Sequence, residues 1–136
     1  MQLSEHFHLS EFVRSDTAKA MGLRNVPPPE ATRKLAMLCH RVLEPLRARL
    51  LAPIHISSGY RSPEVNAACG GSPTSQHMKG EAADIWTGAM DAKDLKALIM
   101  QCVPEWDQLY LHEVGHFVHV SYRVGGCRKQ VLPDVT

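Results

Sequence analysis

The stretch "SQHMKGEAADIW", residues 75–86, holds a histidine and an aspartate seven positions apart, between a glycine-rich turn and an apolar run. In one helix, His77 and Asp84 would lie about 10.5 Å apart along the axis at roughly 1.5 Å per residue, too far to share an ion. Gly80 between them also argues against an uninterrupted helix, because glycine is a poor helix former. We therefore predict that this stretch is a loop that leads into a strand.

The composition predicts one compact domain that spans residues 1–136. An apolar content of 44% is enough for a core of its own at this common domain size. A formal net charge of +1 lacks the basic field that nucleic acids or anionic membranes favour, so we expect neither as a partner. No window reaches the roughly 18 apolar residues of a membrane span, and the start "MQLSEHFHLSEF" lacks the layout of a signal peptide. We expect a monomer that is synthesised in the cytoplasm without a signal peptide.

The four cysteines are widely spaced and form no CxxC pair, so the sequence indicates neither a zinc ribbon nor a redox motif. We expect buried thiols, with disulfides as the alternative for a protein that works outside the cell. The four positions are Cys39, Cys69, Cys102 and Cys127.

A long amphipathic helix is predicted in the first half of the chain. Residues 25–50 open with prolines, which are tolerated at a helix start, and then place apolar residues at helical spacing. Pro45 should kink this helix or begin a second segment, because proline removes an interior amide and clashes with the preceding turn. The predicted core positions are Ala31, Leu35, Leu38 and Val42.

The remaining elements are short strands with two helices among them, an order that fits an α+β domain. The first strand alternates apolar and polar residues, Ser62 and Pro63 begin a short helix, and Gly115 marks a hairpin turn. One sheet face would be covered by helices, and the other would be free for a site. The predicted strands are 54–61, 106–113 and 117–122, and the predicted helices are 63–69 and 91–102.

Three residues from separate elements carry the chemistry: His77, Asp84 and His119. Two imidazoles and a carboxylate are a sufficient catalytic zinc set, which leaves the fourth position of a tetrahedral ion for water. Asp84 and His119 both lie inside strand-like runs where an apolar residue would be less costly to bury. With eight histidines in the chain, ordinary surface or hydrogen-bonded roles remain the alternative for each histidine.

The segments "SGYRSPEVN", "GGSPTSQHMKGEAADI" and "WDQLYLHEVGHFVHVSY" occur in this order. They resemble the zinc D-alanyl-D-alanine carboxypeptidase family of LAS-type metallopeptidases, which includes phage peptidoglycan endopeptidases. The core of the resemblance is Ser-x-His-x-x-Gly-x-Ala-x-Asp followed later by a strand histidine. It covers roughly residues 1–123, so the tail at about 124–136 lies outside it.

The resemblance implies a small, mainly antiparallel sheet with helices on one face and a zinc site on the other, the Hedgehog/DD-peptidase-like arrangement. It assigns one Zn²⁺ per chain to His77, Asp84 and His119, the same three residues that the chemistry suggests. Arg61 matches the arginine that stabilises negative charge on the attacked carbonyl, a role that suits a planar, always charged guanidinium. Ser75 would bind substrate, although capping of a loop explains a serine there equally well.

The general base is the point at which the chain departs from the pattern. Related enzymes place an acid or a histidine two or three residues before the last zinc histidine, where this chain has Phe117 and His116. Glu113 matches the most similar subfamily and is the predicted base, with His116 as the alternative. A two-residue hairpin loop would pair Tyr110 with His119 and turn Glu113 away from it, whereas a three-residue loop would bring Glu113 onto the same face as His119.

The sequence therefore predicts a zinc peptidase that hydrolyses the peptide part of bacterial peptidoglycan, the stem peptide or its cross-link, at the cell wall or in the periplasm. A D-Ala-D-Ala carboxypeptidase and an endopeptidase or endolysin are both compatible with it. An inactive zinc-containing module that binds the cell wall or belongs to a phage structure is the alternative, and a hydrolase of some other peptide is a further one.

Overall fold

The computed structural model describes all 136 residues and has an α+β architecture, as predicted. Six α-helices and five strands alternate irregularly along the chain. The helices are α1 (Leu9–Val13), α2 (Asp16–Met21), α3 (Pro29–Leu38), α4 (Glu44–Leu50), α5 (Pro63–Ala68) and α6 (Ala92–Cys102). The strands are β1 (His55–Ser58), β2 (Ala82–Trp86), β3 (Gln108–His112), β4 (Phe117–Ser121) and β5 (Gln130–Val131). No helix is both long and apolar enough to cross a membrane.

The five strands form one sheet in the order β1-β2-β4-β3-β5. All neighbours are antiparallel except β3 and β5, so the sheet is mainly antiparallel, as predicted. Two adjacent interior strands, β2 and β4, hold Asp84 and His119 as direct partners. Because interior strands are hydrogen-bonded on both sides, their side chains are held in fixed positions.

The two faces of the sheet differ as the strand alternation requires. One face packs against helices and forms the core, with five residues that are fully buried: Ala83, Ile85, Leu109, Val118 and Val120. The opposite face carries the polar residues Asp84, His119 and Tyr110, and we call it the site face. The apolar side chains of these strands therefore lie in the core, and the residues that alternate with them lie on the site face.

The predicted long helix is present, and its core positions Ala31, Leu35, Leu38 and Val42 are all buried. It is interrupted by a π-helical turn at Cys39–Leu43, after which α4 begins at Glu44. Pro45 lies in the first turn of α4, where its missing amide costs no interior hydrogen bond. The prediction that Pro45 begins a second segment is confirmed.

Both ends of the chain contribute elements that no periodic pattern of residues predicts. α1 and α2 are too short to show a helical repeat, although Ser15 caps α2 through its side chain. In the tail, β5 pairs parallel with β3, and Leu132 donates its amide to the carbonyl of Leu109. Two residues of the tail, Gln130 and Val131, are therefore part of the sheet.

All four cysteines are unpaired. Cys39 is buried, as predicted, and burial raises the pKa of its thiol far above the usual range. The expectation of buried thiols is wrong for Cys69, which is exposed because it follows the short helix α5 at the surface.

One ion pair fixes the tail to the sheet. Arg128 donates from Nε and Nη2 to the two carboxylate oxygens of Asp107, at 2.8 and 2.7 Å, and its backbone amide donates to the same carboxylate. These hydrogen bonds outweigh the burial of the Asp107 side chain and lower its pKa from 3.8 to about 2. The folded state therefore favours the ionised carboxylate.

We expect acid to weaken the fold through Asp107. Because its pKa is lower in the folded state, its contribution is present above pH 3.8 and is lost as the pH falls towards 2. The loss should be about 1–2 kcal/mol, since solvent screens the half-exposed Arg128. Thermal denaturation at pH 5 and pH 2.5 measures it: Asp107→Asn should lose less stability over this interval than the wild type. An identical loss in both proteins would assign the acid sensitivity to other groups.

Candidate metal centre

His77 is placed by a tight turn that the glycine-rich sequence makes possible. A 3₁₀ turn at Gln76–Lys79 begins after Ser75, whose Oγ accepts the backbone amide of His77 at 3.2 Å. The turn ends at Gly80, which has a φ of 76° and lies so close to the backbone of Ala31 that a Cβ would collide with its carbonyl. The predicted loop into a strand is therefore confirmed, with one 3₁₀ turn inside it.

The ring of His77 is oriented by a backbone carbonyl. Its Nδ1 donates to the carbonyl oxygen of Gly59 at 2.7 Å, because a carbonyl can only accept. The Nε2 lone pair is then free and faces Asp84, with 3.3 Å between Nε2 and Oδ1. A carbonyl that fixes the tautomer in this way is the usual support for a metal-binding histidine.

Asp84 and His119 meet because their strands pair directly. Their Cα atoms are register partners in β2 and β4, and Nδ1 of His119 lies 2.8 Å from Oδ1 of Asp84. The side chains of His77, Asp84 and His119 are all buried, at 4%, 4% and 7% exposure. The structure thus brings together the three residues that the sequence pointed to, from a turn and two strands.

The three side chains fit a zinc ion by their chemistry. One ligand atom from each, two imidazole nitrogens and one carboxylate oxygen, lie within 4.8 Å of one another. This donor set is typical of catalytic zinc, and it would leave one position of a tetrahedral ion open. A bound cation would replace the proton that His119 shares with Asp84.

The charge on Asp84 is stabilised in place. Burial alone would raise its pKa, but the hydrogen bond from His119 and the close approach of His77 outweigh burial and hold the pKa of this carboxyl well below its usual range. The carboxylate is therefore ionised at neutral pH, the form in which it binds a metal.

Arg61 lies beside this cluster with its guanidinium held by two neighbours. Its Nε donates to Ser58 Oγ at 3.1 Å, and Nη1 donates to Asn66 Oδ1 at 3.3 Å. The remaining Nη2 lies 3.6 Å from Oδ2 of Asp84, and the side chain is 18% exposed. A charged hydrogen-bond donor is thus fixed at the edge of the group formed by His77, Asp84 and His119, which we call the metal cluster.

Two cavities flank the cluster. The larger, about 430 Å³, is lined by Asp84 and Arg61, and the smaller, about 310 Å³, by His77, His119 and Arg61. Ser75 also lines the smaller cavity, so it both caps the turn and lies where a ligand could reach it. The two cavities share Arg61 and between them are lined by all three candidate ligands, and we call the two together the cleft.

Tyr110 is a site residue that the sequence analysis did not select. Its ring stacks on the imidazole of His119, with 4.7 Å between centroids and 13° between planes, and it lines the smaller cavity. Burial raises the pKa of Tyr110, and the negative charge of Asp84 raises it further, so its hydroxyl remains a hydrogen-bond donor at neutral pH. The sequence pointed to Tyr110 only through the two-residue hairpin loop, which pairs Tyr110 with His119.

The structure does not bring Glu113 to the three candidate ligands. The hairpin has the register of the two-residue loop, with Tyr110 opposite His119, which turns Glu113 away from His119. Glu113 and His116 are both exposed, and neither lines the two cavities of the cleft. Their turn does border the larger cavity through Gly115 and Phe117.

One comparison with known proteins found a match. A protein-family model described as Peptidase M15 matches residues 5–121, which include His77, Asp84, His119 and Arg61. A search of curated proteins gave no match.

Proposed function

Since the family match spans most of its length, the chain belongs to the Peptidase M15 family, and we propose that it is a zinc peptidase that hydrolyses the peptide part of bacterial peptidoglycan. The convergence of His77, Asp84 and His119 at one buried point is the observation that carries this proposal. It is supported by the family match and by the peptidoglycan-peptidase motifs of the sequence. We further propose one Zn²⁺ per chain and a monomer that acts at the cell wall.

The chain's own residues can then be given roles. Zinc would supply a Lewis acid that polarises the scissile carbonyl and lowers the pKa of a water molecule. Arg61 would donate to the oxygen of that carbonyl as negative charge develops on it, from a position that its bonds to Ser58 and Asn66 already fix. Tyr110 and Ser75 would donate to the peptide on the opposite side of the cleft.

The base that takes the proton of the attacking water is proposed to come from the turn at 113–116. Glu113 is supported by its subfamily match and by the contact of this turn with the larger cavity. His116 is the alternative, and its φ of 56° shows that it closes the turn in a left-handed conformation.

Two variants distinguish these bases. Glu113→Gln should keep its zinc and lose most of its activity, roughly 100-fold or more, whereas His116→Ala should remain active. Both are scored by turnover of peptidoglycan and by zinc content. The reverse pattern would assign the base to His116, and two active variants would reject both residues.

The bond that is cut can be identified from the products. Purified protein is incubated with peptidoglycan, and the released fragments are identified by mass spectrometry. New internal amino termini would establish an endopeptidase, and free D-alanine would establish a carboxypeptidase.

A second candidate function follows from the position of the turn. Because Glu113 and His116 both lie outside the cleft, the chain could bind the cell wall through its zinc site without hydrolysing it. Retention of zinc and binding to peptidoglycan without any released fragment would favour this module, which could equally serve in a phage structure.

A further inference from the structure

Four aromatic rings cross four strands on the site face. His55 pairs with Trp86, and His112 pairs with Phe117. The register of β2 and β4, continued one step beyond Ile85 and Val118, sets Trp86 beside Phe117. We call this set, His55, Trp86, Phe117 and His112, the aromatic row.

The rings of the row are fixed in pairs. His55 stacks on Trp86 with 4.3 Å between centroids, and His112 stacks on Phe117 with 4.5 Å. Gly115 closes over the second pair: its amide donates to Nδ1 of His112, and a Cβ at this glycine would overlap both rings. Trp86 is nevertheless 43% exposed, so a large aromatic surface faces solvent in a fixed position.

The row runs alongside the metal cluster. Trp86 is two residues beyond Asp84 on the same strand and the same face, a step of about 7 Å at roughly 3.4 Å per residue. Phe117 lines the larger cavity together with Asp84, so the row is continuous with the cleft. An extended peptide covers this distance with about two residues, at roughly 3.3–3.6 Å each.

The chemistry next to the row is polar. The larger cavity, about 430 Å³, is also lined by Ser57, Ser58, Arg14 and Asp16. Arg14 has no acidic partner, and its Nη2 donates only to the carbonyl of Ile56 at 3.3 Å. A ligand with one apolar face and a rim of hydroxyl or amide groups matches aromatic rings beside such donors and acceptors. A sugar ring has this form, whereas a purely apolar protein surface would leave Arg14 and Asp16 unpaired.

We propose that the aromatic row binds a sugar ring of the glycan strand while the peptide attached to that strand lies across the metal cluster. This inference rests on the proposed peptidoglycan substrate. The row would hold the glycan through Trp86 and Phe117, and the larger cavity would receive the polar edge of the sugar.

Binding to glycan strands freed of their peptides tests the row without any need for catalysis. The wild type should bind them, and Trp86→Ala should bind roughly tenfold more weakly, since one exposed tryptophan often dominates such an interface. Trp86→Phe should recover part of the affinity, and Met100→Ala, which removes a comparably exposed side chain of α6, should bind like the wild type. Thermal denaturation of each variant shows whether it is folded.

Hydrolysis supplies an independent readout. Trp86→Ala should lose more activity on intact peptidoglycan than on a free stem peptide, because only the first substrate carries the glycan. Failure of the wild type to bind peptide-free glycan, or equal binding by wild type and Trp86→Ala, would overturn the inference even if the stem peptide is cleaved. If the protein binds glycan but cleaves no peptide, the proposed peptidase function is rejected and the assignment of the aromatic row as a sugar-binding surface is retained.

Discussion

Replacing Asp84 by alanine will leave the protein without zinc and without peptidase activity. Its Oδ1 lies between Nε2 of His77 and Nδ1 of His119, at 3.3 and 2.8 Å, so its removal leaves two neutral ligands in a buried site. Loss of a supporting residue alone costs roughly 10- to 100-fold in metal affinity, and loss of a ligand should cost more. His77→Ala and His119→Ala should behave in the same way.

The measurement is the zinc content of the purified variants, together with thermal denaturation with and without added zinc. A metal that binds only the folded state stabilises it by about 2.7 kcal/mol at one hundred times its Kd, and the three variants should lack this gain. His40→Ala is the matched control, because this histidine is exposed and lines neither cavity of the cleft. Full zinc occupancy in all three ligand variants would reject the assignment.

Arg61→Ala will keep its zinc and its fold but will turn over substrate on the order of 100-fold more slowly, as expected for a donor to the developing oxyanion. The guanidinium bonds to Ser58 and Asn66 and still presents Nη2 to the cleft, so it can hold its position and donate at the same time. Arg61→Lys should recover only part of the rate, because an ammonium cannot make all three contacts.

The readouts for Arg61 are kcat and KM on one peptidoglycan substrate and the zinc content of each variant. Arg33→Ala is a suitable control, since Arg33 is an exposed arginine on α3 that lines neither cavity of the cleft. Unchanged turnover in Arg61→Ala would show that Arg61 has only a structural role in its turn.

The convergence of His77, Asp84 and His119 could be predicted because its signals are local. Gly80 excludes a helix between His77 and Asp84, and strand alternation separates Asp84 and His119 from their buried apolar neighbours. The hairpin register also followed from the apolar pattern, since only the two-residue loop puts Leu109 and Val120 on the same face.

Other features depend on contacts between segments that are distant in the sequence, so no periodic pattern of residues predicts them. The tail is held by the pairing of Arg128 with Asp107, 21 positions away, and by the two-residue strand β5. Gln76 lies next to a ligand and donates to Asp107 as well, so the tail is connected to the loop of His77. The stack of Tyr110 on His119 likewise requires two strands to be in register.

The most direct test is the release of new amino groups or free D-alanine from purified peptidoglycan as zinc is added back to metal-free protein. Activity should be absent without metal, rise with added zinc and level off at one zinc per chain, and Asp84→Ala should remain inactive throughout. Release that does not depend on zinc, or no release from the zinc-loaded wild type, would contradict the claim that His77, Asp84 and His119 form the centre of a zinc peptidase.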